Sequence, residues 1–561
     1  MSNLGQPEGA RISSDAVQRV RDYHQRTKHM PGRYAPAPWE LDWANQPDPF
    51  RRFAGTSVLN LPLITDDATP PYDQLFHSGE AGQTLTPESL GLFLELSLGL
   101  TAWKEIQGTR WALRSNPSSG NLHPTEGYVV VPSLRRPFNN PGVYHYAPRE
   151  HGLEQRCVLS EAAWNALAEG WSEGTFLAGF TSVHWREAWK YGERSYRYCQ
   201  HDVGHALGAL FFSAAALGWR VLILSNLSDA QVAGLLGLDR ATDFNGAEAE
   251  NPEVIAVVVT EPAAALPRTI GKDALAGVRA GVWAGTANQL SPASVKWDAI
   301  ATVVEATVKP STASVPLPAL AKTGPIPPRE FIGGPSAAAI IRQRRSAVAM
   351  DGRTGLQSQA FFRMLQRTLP YQPHPPWTAI DFPARILLSL FVHRIEGLPP
   401  GHYVLVRDET RLQTFRSACN DQFAWVHVIE SGLPLYALAL GDCREAATNA
   451  SCFQAIAGDS AFSLGMVADF GRTLDEDGPW AYRRLFWEAG LIGQVLYLEA
   501  EAAGVRSTGM GCYFDDQVHQ LLGLSDHSWQ SLYHFTVGGA VDDVRLATHS
   551  AYAHLSRSEP S

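Results

Sequence analysis

The sequence predicts an α+β protein made of two fused sandwich domains that face each other like the subunits of a dimer. Three observations predict this architecture. Residues 196–238 align without a gap with residues 482–524, at a constant offset of 286 positions (Tyr196 to Tyr482). Each copy alternates helical and strand-like stretches, and a segment rich in Pro, Ala, Gly and Ser (310–335) separates the copies. A shared register over this length indicates an internal duplication.

Each copy predicts the same succession of elements: a long buried helix, a short strand, a helix that starts at an Asp, and a final strand. Residues 206–219 are apolar on every side, which is typical of a helix buried all round, and these 14 residues are too few to cross a membrane. The matched positions are Tyr196-Arg197, Gly204, Gly218, Arg220, Asp229 and Leu235-Leu236-Gly237-Leu238 against Tyr482-Arg483, Gly490, Gly504, Arg506, Asp515 and Leu521-Leu522-Gly523-Leu524.

Further strands and boundaries follow from composition. Residues 253–260 and 532–538 are rich in β-branched and aromatic residues and predict the final strands. Pro141-Gly142 and Pro400-Gly401 predict turns that each enter a strand. We expect a first domain at 1–300, a linker at 301–324 and a second domain at 325–561, with boundaries good to roughly ten residues.

Bulk properties exclude several classes of protein. With 45% apolar and 18% charged residues the chain is globular, and its net charge of −10 disfavours nucleic-acid binding. The first 28 residues lack the apolar core of a signal peptide. Six cysteines without a C-x-x-C pattern argue against a metal site and a disulfide framework. We therefore expect a cytoplasmic protein with no membrane partner.

A polar turn in the first half could hold a heteroaromatic ligand. Pro117, Ser118, Ser119 and Asn121, with the glycine between the last two, supply hydroxyls, an amide and backbone N–H groups close together. The alternative is an ordinary Ser/Gly/Asn loop. His123 nearby is typical of a hydrogen-bonded turn residue.

A basic run in the second half could hold a phosphate. Arg344, Arg345 and Ser346 precede what reads as a helical stretch, where charge-assisted bonds and the helix dipole favour an anion. The alternative is a solvated basic face. Later in this half, Arg506 precedes Gly509 and Gly511, where backbone can approach a ligand closely.

These motifs resemble the nitroreductase superfamily, in particular its SagB/ThcOx branch of flavin-dependent dehydrogenases, which oxidise azolines to azoles in modified peptides. The resemblance spans most of both halves. It rests on Pro117 to Glu126, Tyr144-His145-Tyr146, Lys190-Tyr191-Gly192 through Arg197, Arg344-Arg345-Ser346, and Thr508 to Val518. It implies an FMN at the interface of two subunits, one giving the Arg-Arg-Ser and glycine-loop elements and the other covering the ring with the Pro-Ser-Ser turn.

The two halves differ in which motifs they keep. The second half lacks the turn, with a degenerate stretch at 381–386, and has Glu476-Asp477 opposite Lys190-Tyr191. The first half has Ile223 and Ser225 where the second has its two late glycines. Every retained element belongs to one composite site, so we expect one FMN per chain. Arg344, Arg345 and Arg506 would hold its phosphate, and Ser118, Ser119 and Asn121 its ring or ribityl hydroxyls.

The resemblance also implies the chemistry. Lys190 and Tyr191 would flank the flavin, one of them removing a proton as hydride passes to N5. For Lys190 this role needs a lowered pKa, which about 4 kcal/mol less stabilisation of the ammonium would provide. A surface lysine beside a core tyrosine is the alternative interpretation.

Three functions stay open at this point. The first is an FMN-dependent dehydrogenase of a modified peptide or small metabolite, with oxygen or another acceptor. The second is a nitro- or quinone reductase that uses NAD(P)H. The third is a flavin-free binding scaffold. The pseudo-dimer could be monomeric or assemble further.

Overall fold

The computed structural model describes residues 13–77, 82–316, 334–370 and 374–555. The helices of the first half are α1 (Ser14–Arg26), α2 (Pro87–Leu98), α3 (Glu161–Leu167), α4 (His184–Tyr191), α5 (Ser195–Ala216), α6 (Asp229–Leu236), α7 (Lys272–Arg279) and α8 (Asp298–Ala306). Its strands are β1 (Phe53–Ala54), β2 (Val58–Asn60), β3 (Leu100–Ile106), β4 (Thr109–Arg114), β5 (Thr125–Val131), β6 (Gly142–Ala147), β7 (Gly152–Val158), β8 (Phe176–Ser182), β9 (Arg220–Ile223), β10 (Asn251–Val259), β11 (Val282–Trp283) and β12 (Thr286–Ala287).

The helices of the second half are α9 (Ala337–Gln343), α10 (Ser358–Arg367), α11 (Leu412–Ala418), α12 (Arg444–Ala450), α13 (Ala455–Asp459), α14 (Phe470–Asp477), α15 (Ala481–Ala502) and α16 (Asp515–Leu522). Its strands are β13 (Leu356–Gln357), β14 (Ile386–Val392), β15 (Ile395–Glu396), β16 (Gly401–Leu405), β17 (Val426–His427), β18 (Leu435–Leu440), β19 (Phe462–Asp469), β20 (Arg506–Met510), β21 (Trp529–Gly538) and β22 (Ala547–His549).

Each half is built on an antiparallel sheet, and six strands have the same topology in both sheets, which differ in the short edge strand (β11 in the first, β17 in the second). The first runs β11-β7-β6-β5-β8-β10-β9, with β2 added beside β7, and the second runs β17-β18-β16-β14-β19-β21-β20. The central strands are buried on both faces because helices cover them, which explains their continuous apolar runs. The predicted α+β fold is confirmed.

The duplication is visible in the bounds of the elements. α4, α5 and α6 start and end 286 positions before α14, α15 and α16. Both α6 and α16 end at a glycine with positive φ, Gly237 at +73° and Gly523 at +74°, because the helix closes in a left-handed turn that favours glycine. The predicted buried helices, Asp-started helices and final strands are thus confirmed.

The two long helices α5 and α15 pack against each other across the pseudo-two-fold axis. They cross at Gly204 and Gly490, where a Cβ on Gly490 would lie 2.8 Å from the Cα of Gly204. Two ion pairs repeat about this axis, Arg197 with Asp515 and Arg483 with Asp229, each at 2.7 Å. The halves therefore form one body through the elements that the duplication repeats.

The chain also crosses between the halves outside these helices. β22, near the end of the chain, pairs with β3 of the first half in a three-stranded sheet with β4. Tyr552 then accepts a hydrogen bond from the backbone N–H of Leu100 (2.8 Å). Helix α8 continues past the predicted end of the first domain, and much of the predicted linker (317–324) lies outside the described residues. The domain boundaries stay predictions.

Within the described part of the chain, none of the helices combines the length and the apolar character needed to cross a membrane.

Candidate functional site

The predicted polar turn is held from within the first half. The backbone N–H and hydroxyl of Ser119 both donate to Asp202 on α5 (3.1 Å each), and Ser118 Oγ accepts from the backbone N–H of His123 (2.8 Å). The Asn121 amide donates to the carbonyl of Ala112 (2.8 Å). Pro117 is buried at the start of the turn. These side chains shape the turn itself, and their predicted contact with a flavin stays a prediction.

Lys190 and Tyr191 lie over this turn. A Cβ on Gly120 would lie 2.6 Å from Tyr191 Oη and 3.3 Å from Lys190 Nζ, so both side chains end against the glycine. The Tyr191 ring contacts Tyr198 edge-on at 4.8 Å. Burial, with the Glu187 carboxyl, raises the pKa of Tyr191. The structure thus brings together the Lys-Tyr pair and the Pro-Ser-Ser-Gly turn.

Two buried acids adjoin the Lys-Tyr pair, and the sequence analysis missed both. Burial and the nearby Asp202 raise the pKa of Glu187 well above its usual value, while Lys190 opposes the rise. Neither carboxyl oxygen of Glu187 has a hydrogen-bond partner. Burial raises the pKa of Asp202 to about 7, against its hydrogen bonds from Ser118 and Ser119. The available signals were an acid one turn before Lys190 and an acid inside the long buried helix α5.

Glu193 does not pair with Lys190, although it is close in sequence. Its carboxylate accepts two hydrogen bonds from the Arg26 guanidinium, at 2.6 and 2.8 Å. Glu187 is therefore the acid that acts on Lys190.

The predicted helix start behind the basic run is wrong. Arg344, Arg345 and Ser346 follow the end of α9, and the next helix, α10, begins only at Ser358. Ser336 begins α9 instead, its Oγ accepting from the N–H of Ala339 (3.0 Å). At a helix end the exposed groups are carbonyls, and Arg345 donates to those of Arg342 and Arg344. A helix dipole therefore gives no support to an anion here, and only the arginine charges do.

The basic run nevertheless faces the first half. The Arg344 guanidinium donates to the carbonyl of Arg114 (3.0 Å), just before the polar turn, and Arg345 donates to the carbonyl of Thr101 (3.3 Å). The Ser346 hydroxyl lies 2.9 Å from Tyr497 Oη. Basic run and turn are thus parts of one region.

The late glycine loop closes this region. The N–H of Gly509 donates to the same Tyr497 Oη (3.0 Å). A Cβ on Gly509 would lie 1.9 Å from Tyr533 Oη, and one on Gly511 would lie 2.4 Å from the Tyr198 ring. Tyr198, from the first half, donates to the carbonyl of Gly511 (3.1 Å). Both positions therefore require glycine.

Positive charge accumulates beside the loop. Burial and the charges of Arg344 and Arg506 lower the pKa of Arg345 to about 10. Lys104 on β3 belongs to the same cluster, since burial and Arg345 lower its pKa too. Glu501, 3.5 Å from Arg506, is an acid that offsets part of this charge. A bound anion would relieve the repulsion. No motif in the sequence marks Lys104.

Several buried polar atoms in this region have no hydrogen-bond partner, as a site for a polar ligand such as FMN requires. Four buried side-chain atoms without a hydrogen-bond partner lie on residues of the region or next to them: Thr101 Oγ1, Asn116 Oδ1, Arg344 Nε and Ser507 Oγ. Buried polar atoms are normally paired, so an unpaired group marks a place for a ligand or water. Phosphate and hydroxyl groups would pair with them.

The pseudo-symmetric region on the other side of the axis is filled by side chains. Ser225, which corresponds to Gly511, donates to Asp381 (2.5 Å). Arg484, which corresponds to Tyr198, donates to the carbonyl of Ser225 (3.3 Å) and packs over the rings of Phe382 and Trp480 at 5.1 and 4.4 Å.

Lys309 adds a further charge to this filled region. Its Nζ donates to the carbonyls of Leu227 (3.0 Å) and Pro310 (2.9 Å) and lies over the Trp480 ring. Burial and the charge of Arg484 lower the pKa of Lys309 to about 7. The side chains of Ser225, Arg484, Asp381 and Lys309 thus occupy this region.

Comparisons with known proteins agree with this architecture. The model of the Nitroreductase family matches residues 103–247 and 398–539, one segment in each half and together just over half of the chain. A protein from Anabaena variabilis assigned to the nitroreductases has the same fold, with a TM-score of 0.65 and 22% identity over 93% of this chain and 99% of that one.

Two curated relatives match over shorter segments. The trifolitoxin-processing protein TfxB of Rhizobium leguminosarum is 33% identical over 132 residues, 22% of this chain and 35% of TfxB. A nitroreductase-like protein of Methanocaldococcus jannaschii is 28% identical over 126 residues, 21% of this chain and 62% of that protein. Each match thus covers less than two thirds of the relative. The tandem family match, the shared fold and the duplicated sheets together show that this chain belongs to the nitroreductase family, with two nitroreductase domains in one polypeptide.

Proposed function

We propose that the protein is an FMN-dependent oxidoreductase with one composite site, formed by the basic run and glycine loop of the second half and the polar turn and Lys-Tyr pair of the first. The observation that carries the proposal is the continuity of these four elements. Tyr497 joins Ser346 to Gly509, and Tyr198 joins Gly511 to Tyr191. FMN, when bound, supplies the two-electron redox chemistry.

The chain's own residues bind, orient and move a proton. Arg344, Arg345, Arg506 and Lys104 hold the phosphate by charge. Gly509 and Gly511 let the loop pack against Tyr533 and Tyr198, since a Cβ at either position would clash with these side chains. Lys190 Nζ holds or accepts the proton that leaves the substrate, and Tyr191 positions it. The buried acid Glu187 stands one helical turn before Lys190, whose charge opposes the rise of the Glu187 pKa.

A modified peptide or small metabolite is the proposed substrate, and the reaction is a dehydrogenation. The Lys190-Tyr191 pair and the turn support this choice, because they are the motifs shared with the SagB/ThcOx branch. The similarity to the trifolitoxin-processing protein points in the same direction. An NAD(P)H-dependent nitro- or quinone reductase is the second candidate, which the family match supports equally.

A binding experiment tests the cofactor site. FMN fluorescence titration of the wild type should give tight binding, and Arg345→Ala should weaken it about 10-fold or more, since charge-assisted phosphate contacts contribute about 1.5–3 kcal/mol each. Arg353→Ala, which removes an exposed arginine of the same half, is the matched control. Equal affinity in all three proteins would contradict the proposed phosphate site, and no binding by the wild type would favour a flavin-free scaffold.

Anaerobic stopped-flow spectroscopy separates the two reactions. Bleaching of bound flavin by a thiazoline-containing peptide, but not by NADPH, would support the dehydrogenase. Rapid bleaching by NADPH, with no response to the peptide, would support the reductase.

A further inference from the structure

Two thiols face each other at the edge of the composite site. Cys512 follows Gly511 in the glycine loop, and Cys452 lies between α12 and α13. Their Sγ atoms are 3.0 Å apart, and both residues are partly exposed. Cys157, Cys199 and Cys419 are buried. This is therefore a pair of thiols within reach of each other and of solvent.

The two loops are already fixed in the position that a bond between them needs. The Gln454 side chain donates to the carbonyl of Cys512 (2.7 Å), and the N–H of Phe514 donates to the carbonyl of Ala450 (2.9 Å). Forming a disulfide would thus need a small movement of side chains and almost no loop closure.

The turn that carries Cys452 is strained. Cys452 and Phe453 have φ values of +54° and +59°, a region that residues with a Cβ rarely adopt. Such a conformation is unfavourable and persists at places where it positions a functional group. Here it directs one thiol onto the other.

The charges and hydrogen bonds around the pair favour Cys512 as the nucleophile. The hydrogen bond with Cys452 lowers the pKa of Cys512, and the Arg194 guanidinium adds to this effect against burial. Arg194 also donates to the carbonyl of Gly511 (3.2 Å), which keeps its charge near the loop. A thiolate beside a cation and a second thiol is the arrangement of reactive cysteine pairs.

We propose that Cys452 and Cys512 are a thiol–disulfide exchange site that reacts with small disulfides and closes to a reversible disulfide. The Cys512 thiolate attacks one sulfur of a small disulfide, forming a mixed disulfide and releasing one thiolate. The Cys452 thiolate then attacks Cys512 Sγ, forming the Cys452–Cys512 bond and releasing the second thiolate. The pair loses two electrons and two protons, and the small disulfide becomes two thiols.

Closing this bond would affect the composite site. It would tie the glycine loop covalently to the turn at 451–454, whereas the loop is otherwise held by hydrogen bonds, among them those from Arg194, Tyr198 and Gln454. The chemistry of the thiols does not depend on FMN, so the inference goes beyond the proposed function and can be tested without it.

Thiol counting on the full-length protein tests the inference. After incubation with oxidised glutathione and alkylation in denaturant, the wild type should lose two of its six thiols, and peptide mass mapping should join Cys452 to Cys512. Dithiothreitol should restore all six. Cys452→Ser should carry one glutathione on Cys512, and Cys512→Ser should form no internal disulfide. The control Cys419→Ser, at a buried cysteine, should lose two thiols as the wild type does.

Three results would overturn the inference. One is a wild type that keeps six free thiols under conditions that oxidise a model dithiol. Another is a link between other cysteines. The third is a Cys512→Ser protein that still loses two thiols.

Discussion

Lys190 depends on its surroundings for its chemistry. It stands one helical turn after Glu187, whose carboxyl is buried without a hydrogen-bond partner, and its Nζ lies against Gly120 of the polar turn. Burial raises the pKa of this carboxyl well above its usual value, although the charge of Lys190 opposes the rise. Tyr191 completes the arrangement by packing on Tyr198.

Replacing Lys190 tests this role. We expect Lys190→Ala to bind FMN as the wild type does but to lower the rate of flavin bleaching by the active substrate about 10²-fold or more, the usual contribution of a positioned acid or base. Lys272→Ala, at an exposed lysine of α7, is the control. Normal turnover by the Lys190→Ala protein would show that Lys190 has no catalytic role.

His145 links stability to pH. It lies buried between Glu126 (2.9 Å) and Glu154 (2.8 Å), and although burial acts against it, these hydrogen bonds raise its pKa to about 9. Its stabilisation should be fully present below the unfolded pKa of about 6.5 and be lost as the pH rises through 9, a loss of about 3 kcal/mol.

Urea unfolding between pH 6 and pH 10 measures this effect. His145→Gln should lack the decline in stability that the wild type shows over this window, while His549→Gln, at a half-exposed pair, should keep it. Parallel profiles for the wild type and His145→Gln would contradict the assignment.

For single residues, the sequence predicted the motif residues well but not the residues that they contact. The Lys-Tyr pair, the turn and the basic run meet as expected because each belongs to a local motif. Lys104 could not be found, since its importance comes from a position in space that only the folded sheet and helices create, and Glu187 and Asp202 were marked only by their places in two helices. The hydroxyls of Ser118 and Ser119 were expected to face a ligand, but in the structure they bind Asp202.

Among the elements, α5 and α15 decide how the halves fit. Their crossing at Gly204 and Gly490 brings the backbones together, and Tyr196 stacks on its counterpart Tyr482 with ring planes 4° apart. Close backbone contact leaves no room for a side chain. The composite site depends on this crossing, because the site takes its two sides from different halves.

A glycine substitution tests the crossing. A Cβ on Gly490 would lie 2.3 Å from the carbonyl oxygen of His201, so Gly490→Ala should lower stability by about 1–3 kcal/mol and weaken FMN binding. Gly277→Ala is the matched control in α7, where the nearest atom is 3.5 Å away, and it should be neutral or stabilising by up to about 1 kcal/mol. Melting temperatures that fall equally in both variants would contradict the account.

The repeated elements could be predicted because periodicity and the 286-residue offset constrain them. The helix next to the basic run could not be placed from the sequence. Residues 337–343 form a helix before the run, whereas the prediction put a helix after it, and the sequence alone does not say which side is right. The pairing of β22 with β3 was also beyond prediction, since it joins segments more than 400 residues apart.

At the level of the whole molecule, the two sides of the pseudo-two-fold axis carry different residues. One side has the late glycines, unpartnered polar atoms and a cluster of cations. On the other side, Ser225 and Arg484 stand where Gly511 and Tyr198 stand on the first, and Asp381 and Lys309 lie near them. The motifs of the proposed FMN site thus meet on the first side.

The FMN content of the FMN-saturated protein, measured as flavin released per chain after denaturation, tests this account most directly. We expect one FMN per chain, because the polar turn, the Lys-Tyr pair, the basic run and the late glycines meet on one side of the pseudo-two-fold axis. Two FMN per chain would contradict the account, since the filled region would then bind a flavin as well. A value of zero would show that the protein does not bind FMN.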